Sequence, residues 1–330
     1  MPASPGLGRG FLRGCAVFLP LKGASLFLKY LDHTRNSIPS PMARRFLLVL
    51  MLLVLAACGR SGPPRTAPPP PPPPETVPAG VKPEVKISPD TADPQQLLEA
   101  REYLSRRGES LPYRLFIPAG YDASRTYPLV VFLHGASASG TDNHRQLTGS
   151  GYWGTSAWLS EQIQRTHPSF VLAPQANPPR GSAWVRQWRK PEALDGAERE
   201  PLEIVIELID ELQKEFPIDP RRLYVTGLSM GGFGVWSAIT RYPEKFAAAI
   251  PICGGGDPSS VGKNRTAVWA FHGAADILVS PQRSREMIEA FRRAGAEPRY
   301  TEYQDLEHNS WERAYQEPDL ADWLFSQRRE

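Results

Sequence analysis

The sequence predicts an α/β protein built on a doubly wound, mostly parallel sheet with helices on both faces and an antiparallel hairpin at its N-terminal edge. Three observations carry that expectation. Continuous apolar runs at 129–133, 170–173, 246–252 and 267–271 read as strands buried on both faces. Stretches with helical spacing alternate with them. A Gly-x-Ser-x-Gly pentapeptide, Gly227-Leu228-Ser229-Met230-Gly231, stands where the strand-like run 222–226 passes into a helix-like run.

Taken in order, residues 101–105 and 112–117 flank a turn containing Gly108 and predict the hairpin. Strand 129–133 follows, then a helix over 156–165 and strand 170–173. Residues 202–216 place apolar side chains at helical spacing with acidic residues between them, and Pro217 ends the helix. The strand into Ser229, its helix, and strands ending at Ile252 and Phe271 come next. Pro281 and Gly295 bracket another helix, 299–303 is a last strand, and 318–327 is a closing helix. Ligands of such sheets bind at the carboxyl ends of strands, and Ser229 lies at one.

Composition narrows the partners. The 38 basic and 35 acidic residues nearly balance, and no basic stripe with interleaved aromatics occurs, so no nucleic-acid partner is implied. Cysteine spacing outlines neither a disulfide framework nor a metal site, and no cofactor is called for. Of the three cysteines, Cys15 lies in the leader, and Cys253 reads as a small buried core residue.

The first ninety-odd residues differ in character. Phe46 to Ala57 is an unbroken apolar run of twelve residues preceded by Arg44 and Arg45. It is too short to span a bilayer, which takes roughly 20 residues, and fits a secretory signal. It ends in Leu55-Ala56-Ala57-Cys58, which resembles a bacterial lipobox, making Cys58 the expected lipidation site; an ordinary signal peptide is the alternative. The expected organisation is therefore 1–41 as a mis-called upstream segment (or an N-in anchor), 42–57 as a lipoprotein signal, 58–94 as a stalk, and 95–330 as the catalytic domain. The stalk contains thirteen prolines, seven of them consecutive from Pro68 to Pro74, and favours extended polyproline II; a linker with no spacing role is the rival. Together these place the domain in a bacterial cell envelope, membrane-anchored and periplasmic.

A serine at a tight strand-to-helix turn is presented to a cleft, and the flanking glycines avoid collisions with neighbouring backbone. Its hydroxyl needs a histidine to take the proton, and that histidine needs a carboxylate to orient it. In the α/β-hydrolase arrangement the chain order is Ser, Asp or Glu, then His. Downstream of Ser229 stand only His272 and His308. Asp276 follows the strand ending at Phe271 by a short turn, and His308 is the histidine beyond it. The assignment is Ser229 as nucleophile, His308 as general base then acid, and Asp276 as orienter. Asp305 and Asp257 are the alternative orienters, and His272 reads as structural. The oxyanion of the tetrahedral intermediate is expected to meet the N–H groups of Met230 and Ala136, with Ser137 as alternative to Ala136. His134 reads as a structural bond-former.

Leu133-His134-Gly135, Gly227 to Gly232, His272-Gly273-Ala274-Ala275-Asp276 and Glu307-His308 stand in an order that resembles α/β-hydrolase esterases. The resemblance covers about 99–327 and is nearest to the phospholipase/carboxylesterase and dienelactone-hydrolase-like group, which includes predicted peptidases and feruloyl- or polyhydroxybutyrate-esterase-like proteins. Dienelactone hydrolases proper use a cysteine where this chain has Ser229. The resemblance implies a serine hydrolase cleaving a small carboxylic ester through an acyl-enzyme. A serine peptidase of the prolyl-oligopeptidase kind and a non-catalytic binding lipoprotein are the rival readings. Trp153, Trp158, Trp184 and Trp188 follow the first central strands and are candidate pocket walls, against packing of loops onto the sheet. Arg186, Arg189 and Lys190 are read as a solvated face rather than an acidic-substrate site. No long apolar lid precedes Asp276, which argues against an interfacially activated lipase.

Overall fold

The computed structural model describes residues 75–77, 93–177, 184–185 and 200–330. The leader, the signal, Cys58, Trp188, Arg186, Arg189, Lys190 and most of the proline-rich stretch lie outside the described residues. Among the described residues no helix is long and apolar enough to cross a membrane.

Nine strands form one sheet in the order β1-β9-β8-β7-β6-β4-β5-β3-β2. They are β1 (Glu75–Val77), β2 (Glu99–Leu104), β3 (Ser110–Phe116), β4 (Tyr127–Leu133), β5 (Phe170–Pro174), β6 (Ile218–Leu228), β7 (Ala248–Ile252), β8 (Ala267–Gly273) and β9 (Arg299–Tyr303). Strands β4 to β9 run parallel to one another. The expected hairpin is present: β2 and β3 pair antiparallel, with Gly108 at φ +87 in the turn, and β3 joins β5 antiparallel. One element departs from the expectation. Glu75–Val77, inside the segment read as a stalk, pairs in parallel with β9 at the sheet edge.

Alternation along β4 shows why its sequence is apolar throughout. Leu129, Val131 and Leu133 face one core, and Val130 and Phe132 face the other. Helices α4 (Pro201–Glu215), α5 (Met230–Arg241) and α6 (Gln282–Arg293) cover the first face. Helices α2 (Ser150–Leu159) and α8 (Leu320–Ser326) cover the second. The short α1 (Pro94–Leu97), α3 (Glu161–Thr166) and α7 (Trp311–Ala314) complete the set. The helix expected over 156–165 is two helices. Ser160 adopts φ −58, ψ 144, and its hydroxyl accepts from Ile163 N–H at 3.3 Å. A serine that caps with extended backbone ends one helix and opens the next.

After β5 the chain returns through α4 to the opposite side of β4, where β6 pairs with it. The order reverses between β4 and β6, and a crevice opens there at the carboxyl ends of the strands. The two backbones meet closely at this point. A Cβ built on Gly231 would lie 1.8 Å from the Leu133 carbonyl oxygen, and one on Gly227 would lie 2.6 Å from the same atom. Only glycine lets the start of α5 rest on the end of β4. Gly231→Ala should therefore destabilise the fold by about 1–3 kcal/mol or more, read as a lowered urea midpoint; an unchanged midpoint would contradict this packing.

Candidate active site

Ser229 is the residue between β6 and α5, and it sits at φ 55, ψ −119. A non-glycine residue in that region is strained. The strain is held by bonds on both sides: Ser229 N–H donates to the Ile252 carbonyl at 2.9 Å, and Phe233 N–H donates to the Ser229 carbonyl at 3.1 Å. The Cys253 sulfur also accepts from Ser229 N–H, at 3.3 Å. Cys253 is fully buried, as expected, and burial pushes its thiol up. It is core and elbow support at once.

The sequence-assigned relay is brought together. His308 reaches Asp276 Oδ2 through Nδ1 at 2.7 Å and Ser229 Oγ through Nε2 at 2.9 Å. A carboxylate only accepts, so Nδ1 carries the proton and Nε2 is free to accept the serine's. Asp276 is buried beneath the cleft and takes four donors. Oδ1 accepts the N–H groups of Leu278 and Val279, both at 2.9 Å. Oδ2 accepts His308 and, at 3.2 Å, His272 Nε2. Burial works against its charge, but the two imidazoles and the Val279 N–H outweigh it and hold the carboxyl well below the usual carboxylate range.

The alternative orienters are engaged elsewhere. Asp305 pairs with Arg313 at 3.0 Å, and Asp257 caps a short turn by accepting from Ser259 N–H at 2.9 Å. His272 was read as structural, and it does tie loops together: Nε2 also donates to the Val279 carbonyl at 2.9 Å, and Nδ1 contacts Ser284 Oγ at 2.8 Å. Its bond to the same oxygen that orients His308 is the part the sequence did not reveal.

The turn after β4 faces Ser229. Its internal bonds are made by Ala138 N–H to the Gly135 carbonyl and Ser139 N–H to the Ala136 carbonyl. The N–H groups of Ala136 and Ser137 make neither bond, and Met230 N–H is at the first position of α5, where no intrahelical acceptor exists. Both Ala136 and Ser137 line the cleft beside Ser229. His134 holds this turn from below. Its Nδ1 donates to the Gly135 carbonyl at 2.7 Å, and its Nε2 accepts from Ala176 N–H at 2.9 Å. Burial pushes it down to about 4, so the ring is neutral.

The cleft has a volume of about 550 Å³. Of the tryptophans that were candidate walls, the three among the described residues do not line it. Trp158 is 1% exposed and packs edge-on against Tyr315 and Phe325. Trp184 is 0% exposed, lies tilted against the His134 ring at 4.8 Å and donates its Nε1–H to the His134 carbonyl. Trp153 packs against the second core and Tyr152. These rings seal loops onto the sheet, where the apolar area is. The walls are instead Phe233, Leu278, Val279, Arg283 and Trp311. Trp311 stands edge-on to the His308 ring at 5.6 Å; its position three residues after the histidine was the available signal. Leu278 is 73% exposed and Ile277 90%, an apolar rim beside Asp276.

A parallel sheet with a strained serine elbow at its switch point and a serine–histidine–carboxylate relay defines an α/β-hydrolase. Residues 105–317 match the Esterase family model, described as "Putative esterase", and the chain belongs to that family. It is similar to a solved thermostable esterase, 40% identical, with a TM-score of 0.64 over 71% of this chain and 64% of that one. Among curated proteins it is 28% identical over 208 residues to poly(3-hydroxyalkanoate) depolymerase C of Paucimonas lemoignei, across 53% of this chain and 46% of that protein. It is 25% identical over 193 residues to the bifunctional acetylxylan esterase/xylanase of Neocallimastix patriciarum, across 58% of this chain and 25% of that protein. The chain thus spans half or less of the length of these curated relatives.

His134 yields a pH prediction. Its folded value lies below the ordinary 6.5, so its neutral form contributes stability that is fully present above 6.5 and is lost as pH falls towards 4. The loss should be on the order of 3 kcal/mol, at about 1.4 kcal/mol for each pH unit between the two values. Urea unfolding at pH 7 and pH 4.5 should show a smaller drop in His134→Gln than in the unsubstituted protein; equal drops would contradict the buried neutral ring.

Proposed function

We propose that the protein is a serine hydrolase that cleaves a carboxylic ester through an acyl-enzyme. The observation that carries the reading is the continuous relay from Ser229 Oγ through His308 to the buried Asp276, at 2.9 and 2.7 Å. Ser229 Oγ attacks the ester carbonyl as His308 Nε2 takes its proton. The oxyanion that forms is met by the N–H groups of Met230 and of Ala136, with the α5 dipole behind the first. Collapse expels the alcohol, which receives the proton from His308. Water, deprotonated by the same nitrogen, then releases the acid. The matched depolymerase and acetylxylan esterase bear names of enzymes that open carboxylic esters, which supports the reaction class.

The reaction is tested with p-nitrophenyl acetate and butyrate beside short peptide anilides. Ester turnover should fall by about 10⁶-fold in Ser229→Ala and by about 10⁴-fold in Asp276→Asn, where the imidazole tautomer is lost. Faster cleavage of anilides than of esters would overturn the ester reading in favour of a peptidase.

The domain is proposed to act at a bacterial cell envelope, held there by a lipid on Cys58. This rests on the sequence Leu55-Ala56-Ala57-Cys58 and the prolines that follow. Metabolic labelling of expressing cells with a clickable palmitate analogue should mark the protein, and Cys58→Ala should lose the label; a label retained in Cys58→Ala would contradict the anchor.

A further inference from the structure

Among the described residues, Arg283 is the one lysine or arginine that lines the cleft. Arg283 lines it together with Phe233 and Leu278, and no carboxylate among the described residues does so. Two other arginines of α6 are paired: Arg285 with Glu302 at 2.5 Å and Arg293 with Glu289 at 3.5 Å. No such pair involves Arg283 among the described residues. Its guanidinium lies over the Phe233 ring at 5.4 Å from the centroid. A Cβ on Gly255 would come within 2.7 Å of the Arg283 Cβ and 3.2 Å of its Nε, so the glycine leaves room for the arginine stem.

Two electrostatic facts make this arrangement informative. Arg283 occupies the first turn of α6, a helix with no acidic residue in that turn. Cations are disfavoured there because the helix dipole is positive at that end. A guanidinium with no carboxylate partner among the described residues, poorly placed for its own helix and laid over an aromatic face, gains most from an anion brought into the cleft. The recognising group is the guanidinium rather than the helix end, and the apolar rim of Leu278 suits the carbon chain between that anion and the scissile bond.

We propose that Arg283 is a specificity-determining residue that selects esters bearing a carboxylate on the portion lying along this wall. The inference rests on the ester-hydrolase reading above.

Two substrate pairs test it, on the full chain at low ionic strength. Mono-p-nitrophenyl adipate against p-nitrophenyl hexanoate places the carboxylate on the acyl side with the same chain length. 4-Acetoxybenzoate against its methyl ester places it on the leaving side. In at least one pair the anionic member should have kcat/KM about tenfold higher or more, the range of a charge-assisted hydrogen bond. In that pair Arg283→Gln should lower the anionic-to-neutral ratio by about tenfold, and Arg283→Lys should retain part of it. Turnover of the neutral esters with no anionic preference in either pair overturns the inference and leaves the esterase reading standing. A preference that survives unchanged in Arg283→Gln also overturns it. Cleavage of none of the four esters overturns the esterase reading itself, and this inference with it.

Discussion

The contact between the elbow and the end of β4 is the constraint on which the site depends. Gly231 lies against the Leu133 carbonyl so closely that no side chain could intervene, and this contact brings the start of α5 beside the turn that follows β4. Two consequences follow from one approach. Ser229 is driven into a left-handed conformation that lifts its hydroxyl into the crevice. The Ala136 turn, whose Ala136 and Ser137 N–H groups make neither of its internal bonds, comes to line the same cleft as Ser229. The nucleophile and the proposed oxyanion donors are therefore coupled through backbone packing, not through side chains that could drift independently.

The second half of the site hangs on Asp276. Four donors converge on its two oxygens, two from its own loop and two from imidazoles. A carboxylate so satisfied is rigid as well as charged, and it holds His308 in the tautomer that accepts from Ser229. His272 links this carboxylate to Ser284 at the start of α6, and Ser284 donates to the Gly254 carbonyl just after β7. The relay is thereby tied to three elements on the far side of the switch point. Arg283, one residue before Ser284, shares that scaffold and faces the cleft.

Much of this was legible in the sequence, and what was not has physical reasons. The central strands were readable because strands buried on both faces are apolar throughout, and the elbow because its glycines and serine are adjacent in the chain. Asp276 and His308 followed from chain order together with the place of Asp276 just after the strand ending at Phe271, with Asp257 and Asp305 as alternatives. The hairpin was legible from Gly108. Trp158 and Trp184 stood between pocket wall and loop packing because sequence shows that an aromatic follows a strand but not whether it turns inward or towards the crevice; both turn inward. The break at Ser160 was hidden because a serine inside a helical pattern reads equally as interior or cap. The shared oxygen between His272 and His308, and the absence of a carboxylate partner for Arg283 among the described residues, depend on distances between segments that no spacing encodes. The edge strand at Glu75–Val77 was masked by the prolines around it, which speak for extended backbone without saying whether it pairs.

The central claim is that Ser229 is a nucleophile activated by its folded surroundings, and covalent capture tests it most directly. The folded protein should react with a fluorophosphonate to give a single adduct by intact mass, and peptide mapping should locate it on Ser229. Urea-unfolded protein should not react, because the hydroxyl then has no base. An adduct on another residue, or no adduct on the folded protein, would contradict the account.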